Sequence, residues 1–281
     1  MRLRTPAVFA ALLPSLLPVS VALATLAVSS EARAEKIHTG AGDTTARDSS
    51  DPYEDPDTTY YFLGARFRDT VMPNFLLSPF VAGGPTIVNV PSFGLEGSWR
   101  KGGTETIIGL SYADYGMDPF PFKGKNESEF AWELVKSNLK MIQLTADLLW
   151  GTEFSKQFQF QYGLATGIAF VFGDLHRVQA QPTDGQTAGD PNKYIPCTTP
   201  NSSAYCDGSN NHYPSGDPSN TDNWYTEQSW FSGGKRPSFY AIFGPEVALR
   251  YKPIHALVMR LDLGFNVFSG FFGGVAVNYG I

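Results

Sequence analysis

The sequence is low in charge, has very few cysteines and, beyond its first residues, has no long apolar run. Charged residues make up 17% of the 281 positions, and only two residues are cysteine. The formal net charge of −6 argues against nucleic acid as a partner, because phosphate binding needs a basic surface. Without a run of about 20 apolar residues beyond position 34, a membrane-spanning helix is excluded there. Helical periods are scarce, whereas 28 glycines, 21 phenylalanines and 13 tyrosines are typical of a β-protein.

The first residues have the composition of a targeting segment. A basic start precedes the apolar stretch Pro6–Val28, and Ala32–Ala34 has the small-x-small form of a cleavage site. We therefore predict that residues 1–34 are a signal peptide, cleaved after secretion through the inner membrane. Residues 35–58 are acidic and rich in Gly, Ser, Asp and Pro, which predicts a disordered acidic leader.

From residue 59 onward the chain repeats segments in which apolar and small or polar residues alternate. Phe158–Phe172, FQFQYGLATGIAFVF, places large apolar side chains on one face and Gln, Gly and Ala on the other. A period of two residues indicates β-strands. Eight such segments are present: Tyr60–Arg68, Val88–Trp99, Thr104–Tyr115, Lys140–Trp150, Phe158–Gly173, Ser238–Tyr251, Ala256–Phe268 and Phe271–Ile281.

The connections between these segments alternate between short and long. Short ones, such as Arg100–Gly103, are followed by long ones, such as Gly116–Leu139 and the loop 174–237, although Ser269–Gly270 is short where a long one is expected. Residues 59–281 are therefore predicted to form an all-β, transmembrane antiparallel up-and-down β-barrel of about eight strands, with long extracellular loops and short periplasmic turns. The apolar face then contacts lipid, whereas a soluble sandwich would turn the same face inward.

The signal peptide, the strand rhythm over Tyr60–Ile281 and the final VAVNYGI resemble the small eight-stranded outer-membrane barrels of the OmpA, OmpX and OmpW kind. Ile281 departs from the usual terminal Phe of that family. The resemblance implies a location in a Gram-negative cell outer membrane, with membrane lipid as the surrounding partner. Members of the family include structural proteins, adhesins, small channels and lipid-modifying enzymes, so the resemblance does not assign a function.

Charged residues fall on the inward face of the predicted strands. Buried charges must be paired, so the first interpretation is a lumen closed by ion pairs, with Arg66 beside Glu96 and Glu246 beside Arg260. The alternative is a polar pore or a proton path. The inward charges are Arg66, Glu96, Glu105, Asp147, Glu246, Arg250, Arg260 and Asp262.

The two cysteines, Cys197 and Cys206, lie close together in loop 174–237. In an oxidising envelope this spacing predicts one local disulfide bond. A metal site made by both cysteines and His212, or a calcium site at Asp207–Asn211 or Asp217–Asn223, is the alternative. The spacing matches no known ligand pattern, so we predict no metal and no cofactor.

Loop 174–237 also carries aromatic residues in a polar sequence. Such residues suit recognition of an extracellular partner or glycan, although a loop that packs on itself over the barrel mouth explains them equally well. The recognition candidates are Tyr194, Tyr205, Tyr213, Trp224, Tyr225 and Trp230.

Three functions remain open for the predicted barrel. A structural or surface-interaction role of a monomeric barrel comes first, and a narrow channel for small solutes or hydrophobic molecules comes second. The third is a hydrolase at the outer rim, with Asp174 and His176 as an acid–base pair acting on lipid or peptide. No serine stands beside that pair in the sequence, so we predict no catalytic residues and no enzyme.

Overall fold

The structure is a computed structural model, and it describes residues 51–79, 81–83, 87–183, 193–208 and 212–281. The predicted signal peptide and most of the predicted leader lie outside these residues. Eight long strands form a barrel: β1 (Tyr60–Pro73), β3 (Ile87–Lys101), β4 (Thr104–Gly124), β5 (Glu133–Glu153), β6 (Phe158–Phe172), β10 (Phe239–Ile254), β11 (Leu257–Asn266) and β12 (Gly270–Gly280). Short strands add to it: β2 (Val81–Gly83), β7 (Leu175–Pro182), β8 (Tyr194–Pro196) and β9 (Tyr225–Thr226).

The barrel is closed and entirely antiparallel. Each long strand pairs with its neighbour in sequence, and β1 pairs with β12 through residues Phe62–Val71 to complete the ring. Thr70 of β1 pairs with β12, but one full circuit of paired residues through the other seven strands returns to β1 at Tyr60. This stagger of ten residues shows that the strands are tilted against the barrel axis.

The two ends of the barrel differ in their connections. At the short-turn end the three connections within the barrel are the tight turns after β3, β5 and β10. Gly102 and Gly103 have positive φ values of 55° and 84°, which a two-residue hairpin turn of this kind requires. At the long-loop end, the connection predicted over residues 116–139 is instead mostly strand, because β4 and β5 extend and stay paired beyond a bulge between Met117 and Phe120.

The outer wall of the barrel is apolar and its interior is polar. Leu95 is 65% exposed and Leu63 is 57% exposed, whereas Asp147 and Asp262 have no exposed surface. This distribution is the reverse of that in a soluble sandwich, and it matches a barrel whose wall faces hydrocarbon. The prediction of a lipid-facing barrel is thereby supported over the soluble alternative.

Aromatic side chains concentrate at both ends of the apolar wall. Toward the short-turn end, the ring centroids of Trp150 and Tyr162 lie 6.3 Å apart. Toward the long-loop end, those of Tyr112 and Phe172 lie 6.4 Å apart. Tyr and Trp are enriched at the two interfaces of a membrane. Beyond Tyr112 the outward face of β4 becomes charged at Asp114, so the apolar band ends there.

Among the described residues, the named helices are α1 (Asn74–Leu77) and two single turns of 3₁₀-helix, Thr221–Asn223 and Trp230–Ser232. Across the part of the chain that the structure describes, no helix has the length and apolar character needed to cross a membrane.

The loop 174–237 contains β7, β8 and β9, which extend the sheet beyond the barrel. β7 pairs with the extension of β5, and both β8 and β9 pair with β7. An apolar cluster fills the space beneath them, formed by Trp132, Leu134, Val178, Ala180, Tyr194 and Trp224. We call this folded region the cap.

Candidate functional site

The middle of the lumen is crossed by Arg66 of β1. Its Nη1 lies 2.7 Å from Oδ2 of Asp147, its Nη2 donates to Thr145 Oγ1 at 2.6 Å, and its Nε lies 3.5 Å from Glu96 Oε2. Gly109 makes this possible, because a Cβ at that position would overlap the guanidinium group. The predicted proximity of Arg66 and Glu96 is therefore present, but the short contact is with Asp147 across the lumen.

Glu96 is the partner of Arg260. Arg260 Nη2 donates to Glu96 Oε2 at 2.8 Å, and Asn278 Nδ2 donates to Glu96 Oε1 at 2.7 Å. The expected contact between Glu246 and Arg260 is wrong, because strands β10 and β11 pair Glu246 with Gly264 rather than with residue 260. Arg260 crosses the lumen instead of pairing with the neighbouring strand.

Arg68, which is not among the predicted inward charges, neutralises the other two carboxylates, Glu246 and Asp262. Its Nη2 lies 2.8 Å from Asp262 Oδ2, 3.2 Å from Glu246 Oε1 and 3.7 Å from Asp147 Oδ2. Its guanidinium group also lies over the Phe272 ring at 4.1 Å. Arg68 is two residues after Arg66 and therefore on the same, inward face of β1, so the alternation of residues could have identified it. It is the last residue of the predicted strand Tyr60–Arg68.

A second charged layer lies toward the short-turn end, around Glu105. Glu105 accepts hydrogen bonds from Ser98 Oγ at 2.9 Å and from Gln161 Nε2 at 2.8 Å. Its Oε2 lies 3.3 Å from Arg250 Nε and 3.9 Å from Arg100 Nη1. Arg100 is also absent from the predicted inward charges, because the sequence pattern places it in the turn Arg100–Gly103, although its side chain points inward.

The mouth at the short-turn end holds three basic side chains, Arg100, Arg250 and Lys252, which we call the mouth site. All three contact the carboxylate of Glu54, which precedes the barrel in the predicted leader. Burial alone would raise the pKa of Glu54, but Arg250 and Lys252 outweigh burial and lower that pKa to about 2. The leader as a whole stays a prediction, since only residues 51–58 of it are described.

The long-loop half of the lumen is apolar rather than charged. A cluster of buried side chains from five neighbouring strands lies there; its members are Val90, Ala113, Met141, Ala169 and Ile242. We call it the outer apolar cluster. On β5, Met141 lies six residues from Asp147, which is about 20 Å along an extended strand before tilt. Tyr115 and Tyr240 pack against the cluster, and their hydroxyl oxygens lie 3.2 Å apart.

The aromatic recognition candidates divide into buried and exposed groups. Tyr194 and Trp224 are buried in the cap, and Tyr205 packs against them. Tyr213 and Tyr225 are half-buried, and the Tyr225 ring stacks on His212 with 4.1 Å between centroids. Trp230 is 50% exposed and packs edge-on against Phe239 at the apolar wall. Burial of Tyr194 and Trp224 means that they build the cap and do not form its surface.

Cys197 and Cys206 form a disulfide bond inside the cap, as predicted. The alternative metal site at these cysteines and His212 is therefore wrong, because neither thiolate is available. His212 Nδ1 instead lies 2.6 Å from Glu133 Oε1. Burial alone would raise the pKa of Glu133, but the hydrogen bond with His212 and the charge of Arg177 lower it. No group of acidic, His and Cys side chains suited to a metal occurs among the described residues.

The proposed acid–base pair of a rim hydrolase is not assembled. His176 is buried, and its Nδ1 lies 3.4 Å from Thr226 Oγ1. Within the described ranges, no hydrogen bond or ion pair joins His176 to Asp174. The candidate functional site is therefore the charged lumen, with the mouth site toward the short-turn end and the outer apolar cluster toward the long-loop end.

These features define an eight-stranded antiparallel barrel of the kind found in small outer-membrane proteins. No protein-family model matches the chain, and no curated protein matches it. Similar solved structures include Neisserial surface protein A, at 5% identity over 80% of this chain and 99% of that chain, with a TM-score of 0.37. At such identities and TM-scores, this and the following likenesses carry no function across to this chain.

Two further similar structures are outer-membrane barrels of other bacteria. Ail of Yersinia pestis, in complex with the heparin analogue sucrose octasulfate, is 10% identical over 79% of this chain and 95% of that one, with a TM-score of 0.34. The N-terminal β-barrel domain of Pseudomonas aeruginosa OprF is 8% identical over 80% of this chain and 98% of that one, with a TM-score of 0.33.

Proposed function

We propose that the protein is an outer-membrane barrel with a sealed lumen, which supports a folded surface for interaction at its long-loop end. The observation that carries this proposal is that two layers of buried side chains lie in the lumen. Ion pairs cross its middle, where Arg66 lies 2.7 Å from Asp147, and the outer apolar cluster lies in its other half. Eight strands leave an interior that side chains nearly fill, so a continuous water path would require both layers to move.

Single-channel recording in planar bilayers tests the sealed lumen. The wild-type chain should show no steady conductance, and a known open porin inserted in the same bilayer serves as the insertion control. A large, stable, open conductance of the wild type would contradict the proposal and favour the narrow channel.

Surface labelling tests the orientation in the outer membrane. Cysteine introduced at the exposed Asp222 of the cap should react with an impermeant maleimide on intact cells, whereas cysteine at Lys101 in a tight turn should not. Equal labelling of both positions, or labelling of position 101 alone, would contradict long loops outside and short turns inside.

The interaction surface is favoured by the order of the cap. Its disulfide, apolar cluster and sheet pairing hold the described residues of the cap in place before any partner arrives, which lowers the entropic cost of binding. Residues 174–237 contain four basic and seven acidic residues, a net charge of −3. This charge favours a basic protein surface or a neutral glycan and disfavours a polyanion such as the heparin analogue bound by Ail.

Immobilised protein in lipid nanodiscs can separate these ligand classes. Sulfated oligosaccharides should not be retained at low salt, while neutral oligosaccharides or basic proteins are screened on the same surface. Salt-sensitive retention of the sulfated oligosaccharides would contradict the charge argument.

A further inference from the structure

The charges of the lumen balance only when a residue from outside the barrel strands is included. The ion pairs of the lumen join six buried basic side chains to six buried carboxylates. The strands supply all six basic groups but only five of the carboxylates, namely Glu96, Glu105, Asp147, Glu246 and Asp262. The sixth is Glu54. Glu153 at the end of β5 also lies 3.7 Å from Arg100, but its side chain is 63% exposed, so the strands alone leave one buried positive charge without a buried carboxylate at the short-turn end.

Glu54 lies at the centre of the mouth site. Its Oε2 lies 2.6 Å from Arg100 Nε, and its Oε1 lies 2.7 Å from both Arg250 Nη2 and Lys252 Nζ. The three basic side chains are at most 5% exposed, and the carboxylate side chain is 8% exposed. Both carboxylate oxygens are therefore bound by charged donors in a nearly dry environment, where such bonds are strong.

The mouth site spans the full width of the barrel. Strands β3, which carries Arg100, and β10, which carries Arg250 and Lys252, are four positions apart in a ring of eight. A single carboxylate thus joins opposite walls. Phe62 packs against the same basic side chains: its ring centroid lies 5.4 Å from Arg250 Cζ and 5.8 Å from Lys252 Nζ.

The backbone next to Glu54 is also fixed in place. The N–H of Asp55 donates to the hydroxyl oxygen of Tyr60 at 2.8 Å, and the Tyr60 ring lies 5.3 Å from Lys252 Nζ. By contrast Asp57, three residues further on, is exposed and its carboxylate contacts no basic group of the described residues within 4 Å. The mouth site therefore binds the carboxylate of Glu54 specifically, and does not simply attract the acidic segment as a whole.

We propose that Arg100, Arg250 and Lys252 form a carboxylate-binding site that the chain fills with its own Glu54, so that the segment before β1 is held across the short-turn mouth. The site takes a carboxylate borne by a peptide segment. A peptide carboxylate from another source competes for it only when Glu54 is displaced or neutralised.

Proteolysis tests whether Glu54 holds the segment. Chymotrypsin cleavage after Tyr53, followed by mass spectrometry on the folded mature chain in nanodiscs, reports release of the backbone. Glu54→Gln should raise the cleavage rate at least tenfold, whereas the matched variant Asp57→Asn should cleave like the wild type. Heat-modifiable gel mobility verifies that each barrel is folded. Equal cleavage of the Glu54→Gln variant and the wild type would overturn the proposal.

Peptide binding tests the site itself. In titration calorimetry at low salt, the Glu54→Gln chain should bind the peptide DPYEDPDT, which repeats residues 51–58, and should not bind DPYQDPDT. The wild-type chain should bind neither, because Glu54 occupies the site. Equal binding of both peptides, or no binding of the Glu peptide, would overturn the proposal. Glu54→Gln should stay non-conducting in bilayers because the outer apolar cluster remains, so this test is independent of the sealed lumen.

Discussion

At the short-turn end of the lumen, the carboxylate of Glu54 joins Arg100 to Arg250 across the barrel, whereas at the long-loop end Met141 and Ile242 pack in an apolar cluster. The stability of the charged end depends on the pairing of each charged group, because removal of one partner leaves the other as an unpaired buried charge. The apolar end depends on volume, and a missing methyl group there leaves only a cavity. One barrel therefore contains two closures that should respond differently to mutation, pH and salt.

The largest effect is expected from removing a central cation. Among the described residues, Arg68 carries the one basic group within 4 Å of the Glu246 carboxylate. Arg68→Met therefore leaves that carboxylate buried and unpaired. Breaking one side of a buried pair typically costs about 3–5 kcal/mol of unfolding free energy. Urea unfolding followed by gel mobility measures this loss, with the exposed Lys101→Met as control. An Arg68→Met barrel as stable as the wild type would mean that the charged closure is not held by pairing.

A smaller effect is expected from the apolar closure. Ile242→Ala removes buried methyl groups from the outer apolar cluster and should cost about 2 kcal/mol, near the lower end for such core truncations. The loss should not depend on salt, because the substitution removes no charge. The outward-facing Phe243→Ala is the neighbouring control in the same unfolding assay. If salt changed the Ile242→Ala loss, the distinction between the two closures would fail.

A local effect is expected in the cap. Replacing Cys197 and Cys206 with Ser should leave the barrel folded and heat-resistant, because strand closure comes from the hydrogen-bonded ladder. The cap alone should lose about 2–3 kcal/mol of local protection, the size expected for a short disulfide loop. Hydrogen exchange of β7 against β11 measures the difference. Loss of the whole barrel would show that cap and barrel fold as one unit.

The last effect, confined to strongly acidic pH, is expected at the mouth site. The pKa of Glu54 is lowered from 4.5 to about 2, so its contribution to stability is fully present above pH 4.5 and is lost as pH falls through about 2. A titration of the ¹³C-labelled Glu54 carboxyl by NMR should have its midpoint near 2. A midpoint near 4.5 would mean that Glu54 is not held by Arg250 and Lys252.

The alternation of residues was sufficient to predict the eight strands and the direction of their side chains. Phe158–Phe172 has a large apolar residue at nearly every second position. Such a face can contact lipid only if the strands form a closed barrel with the polar face inside, because unpaired backbone groups are not tolerated in hydrocarbon. The same parity identified eight charges of the lumen. It missed Arg68, Arg100 and Lys252, which share that parity but lie at or beyond the predicted strand ends.

The local sequence pattern did not predict the extension of the sheet above the barrel. Gly116, Pro119 and Pro121 favour a loop, yet β4 and β5 remain paired past them because a bulge absorbs the irregularity. The cap was hidden too, since the aromatic residues of a polar loop do not reveal which of them pack together. Tyr194 and Trp224 became core residues only through the pairing of β7 with β5.

By itself the sequence determined the wall of the barrel and the disulfide, because both follow from local spacing: a period of two residues and two cysteines nine positions apart. The tertiary structure alone decided which charges meet. A barrel staggered by ten residues brings Arg260 to Glu96 and Arg66 to Asp147 across the lumen, although none of these pairs lies on neighbouring positions of adjacent strands. It also brought Glu54 from outside the strands to the mouth site, since three basic side chains converge there and buried positive charge requires an anionic partner.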